Sequence, residues 1–380
     1  MTIEFRYVTS IAEVGEQAWN SLAGEGYPFV RYHFLDALEK TQAVGGCSGW
    51  LVHHLMAYQG DTLVAAVPSY VKQHSYGEYV FDHAWANAYH QYGLAYYPKL
   101  VSAIPFTPIT GSRILIREGI DHSAVITALH DFAPKHCHEQ GYSGWHLLFP
   151  GSELSTVFKP PVLQRKAVHF QWTNEGYQSF DDFLASFSSR KRKNLKKERA
   201  SISQQGIEVE VWEGREINAE LWRSFYDFYQ ITYAKRSGHG GYLSPSFFER
   251  IASEMPEYLV LMMAKRNGEY IAGALNFKGD NALYGRYWGC IEEANNLHFE
   301  LCYYQGIEYC IANGLARFDP GVQGEHKIQR GFRPTYTYSN HWLAEEGFRE
   351  PVAEFISKEN EMLEAYYEDA STYLPFKKQQ

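Results

Sequence analysis

The segment GVQGEHKIQRGF, residues 321–332, places four side chains that carry charge or exchange protons among glycines: Glu325, His326, Lys327 and Arg330. Glutamate and histidine can accept a proton, while lysine and arginine can hold a developing negative charge. Glycine lets the backbone approach a ligand closely. A polar surface loop uses the same residue types, so the segment alone does not distinguish a turn from a site.

If the segment is a site, its residues suit the formation of an amide. A substrate ammonium with a pKa of about 10 must lose a proton before it attacks an ester or thioester carbonyl, and the resulting oxyanion needs donors. We predict that Glu325, His326 and Lys327 are catalytic, with Glu325 or His326 as the base and Lys327 or Arg330 as the partner of the oxyanion or a phosphate. The predicted substrate-binding residues are Arg286, Tyr287, Asp319 and Arg330. For Asp319, a carboxylate that caps a turn is the alternative.

A second concentration of charge is the run SSRKRKNLKKER, residues 188–199, which holds seven Lys or Arg and one Glu in a chain of net charge -9. Ser188 or Ser189 can cap a helix, and only Leu195 and Ile202 offer it apolar contacts. The alternatives are a solvated helix face and a phosphate site at the helix start. The predicted phosphate-binding residues are Arg190, Lys191, Arg192 and Asn194. Its ligand could be tRNA, a nucleotide cofactor or a lipid phosphate, and the acidic remainder of the chain argues against DNA.

An internal repeat indicates which elements position these residues. The segment LMAYQGDTLVAAVPSYVK, residues 55–72, aligns with MMAKRNGEYIAGALNFK, residues 262–278, and each is predicted to be a β-hairpin. An aromatic strand is predicted after each hairpin, at 76–86 and 282–291. In both halves a helix, a glycine and a short strand ending near Pro-Gly follow.

The repeat predicts an α/β fold with mixed sheets (α+β), built as two tandem GNAT-like acyltransferase domains. We expect a first domain at 1–165, a connecting strand and basic helix at 166–205, a second domain at 206–350, and a C-terminal helix at 351–380. The site is expected between the two domains and built mainly from the second.

Composition fits this architecture, because 380 residues with 45% apolar content can form two cores. Glu4 and Arg6 interrupt any N-terminal signal, and no stretch reaches the length of a membrane span. We therefore predict a cytoplasmic protein with no integral membrane segment. The five cysteines form no C-x-x-C pair and His130, His136 and His138 miss metal-ligand spacing, so no metal is expected.

Several long segments resemble the bacterial Fem-like (FemAB-like) family of peptidoglycan biosynthesis or recognition proteins. They are HSYGEYVFDHAWANAY, AYYPKLVSAIPFTPITGSRIL, SSRKRKNLKKER and, above all, FDPGVQGEHKIQRGF. The resemblance covers nearly the whole chain. It implies a tandem GNAT fold and a role in the modification of peptidoglycan precursors.

The chain is more remotely similar to the Fem aminoacyltransferases, which attach amino acids from aminoacyl-tRNA to the amine of a cell-wall precursor peptide. Those proteins have an Asp-Phe-Gly-Gly turn and a Phe-Lys-x-Gly-Phe-type segment, where this chain has FDPG (318–321) and IQRGF (328–332). The lysine of the relatives is replaced here by Gln329, with Lys327 and Arg330 nearby. The resemblance therefore leaves open which cation is catalytic.

The sequence also indicates which acyl donor the protein uses, because each donor requires its own binding motif. Acetyl-CoA needs a Q/R-x-x-G-x-G/A turn that opens a helix, and the nearest candidate, Arg286, Gly289 and Ile291, lacks the last small residue and precedes Glu292 and Glu293. Aminoacyl-tRNA or another activated acyl donor is therefore favoured over acetyl-CoA.

These features predict an acyltransferase that forms an amide on an amine, with a small molecule or a peptidoglycan precursor as substrate and tRNA as a possible partner. The first alternative is a non-catalytic protein that recognises a muropeptide or sugar through an aromatic cleft. The aromatic residues considered for it are Tyr76, Trp85, Tyr92, Tyr96, Tyr97 and Trp288. The second alternative is an RNA-binding protein centred on residues 190–199.

Overall fold

The computed structural model describes residues 2–238, 240–322 and 324–377. The chain forms two compact units. The first consists of the residues up to Ala167 together with Tyr336–Ala365, and the second of Val168–Thr335 with the residues from Tyr366 onward. Neither unit is continuous in sequence.

The first unit is built on antiparallel hairpins flanked by helices. Its elements are β1 Glu4–Val8, α1 Glu16–Ala23, α2 Tyr32–Lys40, β2 Trp50–Val52, β3 His54–Gln59, β4 Thr62–Val67, β5 Ser69–Lys72, α3 His83–Gln91, β6 Lys99–Ser102, β7 Leu115–Ile116, α4 His122–Gln140, β8 Gly144–Leu148 and α5 Ser152–Val157. Strand β9, Leu163–Thr173, begins here. One sheet has the order β1-β3-β4-β7, and β6 pairs with β5 on one side and, in parallel, with β8 on the other.

The second unit repeats this plan with longer strands. Its elements are α6 Phe180–Ala185, α7 Ser189–Gln204, β10 Ile207–Glu213, α8 Ala219–Ser237, α9 Pro245–Glu254, β11 Leu259–Arg266, β12 Glu269–Lys278, β13 Ala282–Cys290, α10 Leu297–Phe299, a π-helical turn Glu300–Tyr304, α11 Gln305–Ala312, β14 Arg317–Asp319 and a 3-10 helix Glu325–Arg330. Strand β15, Arg333–Leu343, and helix α12, Glu346–Thr372, each divide between the units. The strand order is β10-β11-β12-β13-β14-β9, in which only β13 and β14 are parallel.

The structure confirms both predicted hairpins, β3–β4 and β11–β12, and the aromatic strand β13 of the second half. The predicted aromatic strand at 76–86 is wrong. Residues 76–82 form a loop, and α3 begins at His83. Alanine recurs in the sequence HAWANAYHQ and favours a helix, whereas Glu78 and Asp82 turn inward to a buried lysine.

Helix α7 confirms that the basic run is helical. It spans Ser189–Gln204 with Ser188 as N-cap, although the Ser188 side chain makes no capping hydrogen bond. Its only buried residues are Leu195 and Ile202, which join the core of the second unit. The rest of α7 therefore presents a polar and strongly basic surface.

Among the described residues, none of the helices has the length and apolar character that a bilayer crossing demands. All five cysteines are free thiols, and Cys47 is exposed.

Candidate functional site

A buried turn follows strand β14 in the second unit and holds Asp319. This side chain is 1% exposed, and its Oδ1 accepts a hydrogen bond from the backbone N–H of Gly321 at 3.0 Å. Its Oδ2 accepts from Nε2 of Gln171 on β9 at 2.8 Å. Gly321 has a φ of 85°, which favours glycine. Asp319 thus caps the turn and also places a carboxylate inside the unit.

The 3-10 helix that follows the turn carries Lys327 back toward Asp319. Lys327 is 1% exposed, and its Nζ donates to the carbonyl oxygen of Gly321 at 2.5 Å. Burial lowers the pKa of Lys327 to about 8, and the Asp319 carboxylate acts in the opposite direction. Lys327 is therefore a cation at neutral pH that can lose its proton with little cost.

His326 lies beside Lys327 on the same 3-10 helix and is held by an aromatic neighbour. Its Nε2 is 2.8 Å from the hydroxyl of Tyr303. Burial lowers the pKa of His326, and the neighbouring charges of Arg330 and Lys327 lower it further. The imidazole is therefore neutral at physiological pH and can act as a base.

A second histidine, His298, packs against Tyr303 and His326 with ring centroids 5.3 Å and 6.1 Å away. Burial, followed by the influence of His326 and Arg236, lowers the pKa of His298 to about 3. The two histidines therefore add no positive charge to the group around Lys327.

The π-helical turn Glu300–Tyr304 explains how this group is assembled. Inserting a π turn between α10 and α11 shifts the side chains of the preceding helix relative to those that follow. Tyr303 points to His326, whereas Tyr304 donates its hydroxyl to Glu198 on α7. Turns of this kind frequently occur at functional sites.

Arg330 lies at a separate cleft of about 250 Å³ between α7 and the 3-10 helix. The cleft is lined by Lys191, Asn194, Leu195, Glu198, Tyr304, Gln329 and Arg330. Nη2 of Arg330 donates to both carboxylate oxygens of Glu198 at 2.9 and 3.0 Å, and its guanidinium stacks 3.4 Å from the Phe299 ring. The ammonium of Lys191 donates to Oε1 of Gln329. Two of the predicted phosphate-binding residues, Lys191 and Asn194, therefore share a cleft with Arg330.

The remaining predicted residues lie elsewhere. Glu325 is exposed and accepts from the hydroxyl of Tyr366 on α12 at 2.9 Å. On β13, the Arg286 guanidinium lies 5.1 Å from the ring of the buried Tyr287. Asp319 and Lys327 are joined through Gly321, and Lys327 and His326 both lie beside the Tyr303 ring, with centroid distances of 5.9 Å from Nζ and 5.7 Å from the imidazole.

On α7, Arg190 is exposed and Arg192 is half-buried, and neither forms an ion pair within the described part of the chain. They remain candidates for phosphate binding. Gln323, inside the opening motif, lies outside the described residues.

The acetyl-CoA turn considered from sequence is not a turn in the structure. Arg286 and Gly289 lie within β13, and a Cβ at Gly289 would overlap the carbonyl oxygen of Phe228 on α8. Gly289 is therefore needed for close packing of α8 on the sheet, and its N–H is not presented at a helix start.

Sequence reasoning missed Gln171, His169, His298 and Tyr303. His169 and Gln171 are buried on β9, where they alternate with Phe170 and Trp172. Polar residues at i and i+2 that alternate with aromatic residues in the buried part of a strand are a sequence signal for inward-facing polar side chains. Nothing in the sequence marks the π turn that aims Tyr303.

Comparisons with known proteins agree with this architecture. The sequence model of the FemAB-like family, described as peptidoglycan biosynthesis/recognition, matches residues 10–378. The crystal structure of FemX aligns with 12% identity, a TM-score of 0.54, and coverage of 93% of this chain and 99% of FemX. No curated protein matches the chain.

Two further solved structures are similar. The C-terminal domain of a putative lysylphosphatidylglycerol synthetase from Agrobacterium fabrum aligns with 9% identity and a TM-score of 0.55, covering 92% of this chain and 97% of that one. A tandem GNAT protein from the clavulanic acid biosynthesis pathway aligns with 8% identity and a TM-score of 0.44, covering 90% and 99%. The fold is α/β with two tandem GNAT-like units, as the repeat predicted.

Proposed function

The chain belongs to the FemAB-like family, and we propose that it is an acyltransferase that forms an amide by transferring an acyl or aminoacyl group to an amine. The family's description supports a peptidoglycan precursor as the acceptor. The transfer takes place at the group formed by Asp319, His326 and Lys327 in the second unit. The predicted cytoplasmic location is part of this proposal, because both candidate donors are intracellular molecules.

The observation that carries the proposal is the pairing of a neutral base with a buried cation on one short 3-10 helix. His326 is held by Tyr303 and has a lowered pKa, so it can accept a proton at neutral pH. Lys327 is buried one residue later and anchored to the carbonyl of Gly321. An amide-forming transfer needs these two kinds of group side by side.

The reaction follows from these roles. His326 takes a proton from the acceptor ammonium, and the freed amine nitrogen attacks the carbonyl carbon of the donor ester or thioester. The electron pair of the carbonyl moves to its oxygen, where the Lys327 ammonium stabilises the negative charge. His326 passes this first proton to solvent and then takes a second proton from the nitrogen of the tetrahedral intermediate. As the intermediate collapses, the bond to the donor oxygen or sulfur breaks, and His326 gives the second proton to that leaving group, so that the nitrogen becomes a neutral amide.

Asp319 and Gln171 act as positioning residues in this scheme. The carboxylate of Asp319 holds the turn through Gly321 N–H, and Gly321 in turn accepts from Lys327. Gln171 fixes the other carboxylate oxygen from β9. This chain of hydrogen bonds fixes the Lys327 ammonium before the substrate arrives.

For the donor, we favour aminoacyl-tRNA or another activated acyl ester over acetyl-CoA. The location of Gly289 inside β13, packed on α8, supports this preference, because it leaves the expected pyrophosphate turn unformed. The basic face of α7 supports a donor that carries phosphates. Arg190, Lys191, Arg192 and Asn194 would contact that phosphate backbone.

A second candidate function is recognition of a muropeptide or sugar without catalysis. In the first unit, a cleft of about 500 Å³ is lined by Trp85, Tyr92, Leu94, Phe348 and Phe355 among others. Tyr92 is 77% exposed there, which favours an open binding surface. Tyr96 and the greater part of Trp85 are buried in the core, which weakens the aromatic groove predicted from sequence.

The donor experiment separates these functions. The purified protein is incubated with an amine-bearing muropeptide and, in separate reactions, with acetyl-CoA or charged tRNA, and the products are analysed by mass spectrometry. The proposal predicts an amide product with charged tRNA. Saturable muropeptide binding without any amide product from either donor would favour recognition instead.

A further inference from the structure

The first unit contains four buried charged side chains that the proposed transfer does not use. Lys72 and Lys99 are 0% exposed, Asp82 is 2% exposed and Glu78 is 4% exposed. Charged groups are rarely buried this completely unless each has its partners. Some of the hydrogen-bond donors and acceptors in this group of four side chains are paired with each other, and others have no partner among the described residues.

The two lysines are brought together by strand pairing. Lys72 on β5 lies directly opposite Lys99 on β6 in the antiparallel register. Like charges in this position destabilise a sheet. The loop at 73–82 carries Glu78 and Asp82 inward, so that both carboxylates act electrostatically on both lysines.

Lys99 is fully satisfied. Its Nζ donates to Oε2 of Glu78 at 2.8 Å, to Oδ2 of Asp82, and to the hydroxyl of Ser75 at 3.0 Å. A lysine ammonium has three N–H groups, and all three have acceptors here. Lys99 therefore fixes one oxygen of each carboxylate.

Lys72 is not satisfied. Its Nζ makes one hydrogen bond, to the carbonyl of Tyr76 at 3.2 Å, and lies 3.8 Å from the Trp50 ring centroid. Within the part of the chain that the structure describes, Lys72 forms no ion pair. Two of its three N–H groups therefore have no hydrogen-bond acceptor among the described residues, although one side of the ammonium faces the Trp50 ring.

Acceptors and further donors are also left over around Lys72. Oε1 of Glu78 and Oδ1 of Asp82 are buried and have no hydrogen-bond partner among the described residues. The same holds for Nε1 of Trp50 and the hydroxyl of Tyr70, whose rings lie 5.4 Å apart. Each such group carries a desolvation cost until it is paired.

We propose that this group is a binding site for a zwitterion, an α-amino acid or a chain end that carries both an ammonium and a carboxylate. The ligand's ammonium would donate to the free oxygens of Glu78 and Asp82. Its carboxylate would accept from Lys72 and from the indole N–H of Trp50. A zwitterion supplies both missing partners and adds no net charge to a buried group that is already balanced.

The electrostatics of the four side chains fit this ligand. Burial lowers the pKa of Lys72 to about 7 and raises the pKa of Glu78 to about 7, so neither charge is well stabilised without a further partner. Only Asp82, which is buried but lies beside Lys99, keeps a carboxyl pKa below its ordinary value. A ligand that carries only a negative charge would stabilise the Lys72 ammonium but not the Glu78 carboxylate. A ligand that carries only a positive charge would do the reverse.

Access requires the loop at 73–82 to open, because the four charged side chains are closed off from solvent. Tyr79 in this loop has a φ of 60°, a strained value for a tyrosine. Tyr76 and Phe81 on its outer side are 66% and 61% exposed and do not hold the loop shut, so opening has to release mainly the contacts of Tyr79 and Val80 with the small cluster formed by Val101, Ala103, Leu148 and Phe149. Entry of the ligand is therefore compatible with a small local opening.

The test compares three probes that share the glycine backbone but carry different charges: glycine, a zwitterion; glycine methyl ester, a cation; and N-acetylglycine, an anion. Each is titrated by calorimetry into the full chain. Alanine and lysine extend the test to larger side chains. The proposal predicts that the zwitterions bind at least about tenfold more tightly than the ester or the N-acetyl compound. Equal binding of all three glycine probes, or no saturable binding of any amino acid up to about 20 mM, overturns it.

Variants locate the site. Glu78→Gln keeps the acceptor for Lys99 and replaces the free oxygen with a donor, and Lys72→Met keeps the stem and removes the cation. Each should weaken zwitterion binding at least about tenfold, while Glu118→Gln on an exposed surface of the same unit should not.

If Glu78→Gln or Lys72→Met fails to fold, Trp50→Phe replaces it, because that change removes the unpartnered indole N–H assigned to the ligand's carboxylate and keeps an aromatic ring beside Lys72. Unchanged binding in the folded variants means that the charges serve structure alone, and this result also overturns the proposal. The measurement needs no acyl donor, so it can fail or succeed independently of the proposed transfer.

Discussion

The hydroxyl of Tyr303 lies 2.8 Å from Nε2 of His326. The residues are 23 positions apart in sequence, and the π-helical turn brings them together. A hydrogen bond at one ring nitrogen fixes which nitrogen carries the proton and how the ring is oriented. In the proposed transfer, Tyr303 would therefore position the base.

Replacing Tyr303 with phenylalanine should lower kcat about tenfold and leave KM nearly unchanged, because the hydroxyl orients the base without touching substrate. Steady-state kinetics of amide formation measure both values. Tyr89→Phe is the matched control, since its hydroxyl is also buried but has no hydrogen-bond partner among the described residues. A raised KM with normal kcat in the Tyr303 variant would assign that hydroxyl to substrate binding.

The Lys327 ammonium should make the stability of the second unit depend on pH. Its pKa is 10.5 when unfolded and about 8 when folded, so between these values the unfolded chain binds the extra proton and stability rises with pH. The difference corresponds to about 3 kcal/mol. Urea unfolding at pH 7 to 10.5 of the wild type and of Lys327→Met should show this rise only in the wild type. Parallel curves for the two proteins would place the lysine in solvent.

The sequence predicts a helix or strand correctly where the residues that determine the element lie close to it in the chain. The hairpins, the second aromatic strand and α7 follow from alternation, turn glycines and capping residues close to each element. The aromatic strand predicted at 76–86 failed because Glu78 and Asp82 bond to Lys99, which follows about twenty positions later. A tertiary ion pair of this kind overrides local propensity.

The site shows the same limit. The motif at 321–332 predicts roles for His326 and Lys327 because their residue types stand out in one segment. Their neighbours Gln171 and Tyr303 come from a distant strand and from an irregular helical turn, and only the folded backbone brings them close. Residue chemistry can be read from the sequence, whereas the register of a π turn cannot.

The Arg330–Glu198 pair should contribute measurably to stability, because the Arg330 side chain is only 9% exposed and donates twice to one carboxylate. Arg330→Met should lower the free energy of unfolding by about 2 kcal/mol, since it leaves Glu198 without its cation. The control is Lys135→Ala, which breaks the exposed pair with Glu139 and should cost less than about 0.5 kcal/mol. Equal losses in urea titrations would show that the Arg330 pair is solvated.

Reversing two positive charges on α7 tests whether this helix binds the phosphates of the donor. The double variant Arg190→Glu and Arg192→Glu should weaken binding of charged tRNA and flatten its dependence on salt, by about one unit of slope for each phosphate that the helix no longer neutralises. Lys197→Glu reverses an exposed charge further along the same helix and is the control. Identical effects at Lys197 would indicate general attraction, and a flat salt response in the wild type would exclude a phosphate role for α7.

The proposed transfer depends above all on His326, which removes the proton from the acceptor amine. This role is tested by the rate of amide formation in a single turnover, with charged tRNA as donor and an amine-bearing muropeptide as acceptor, for the wild type and His326→Ala. We predict a loss of about 10²- to 10⁴-fold with an unchanged melting temperature. A His326→Ala variant that is folded and transfers at the wild-type rate would contradict the proposed role of the histidine.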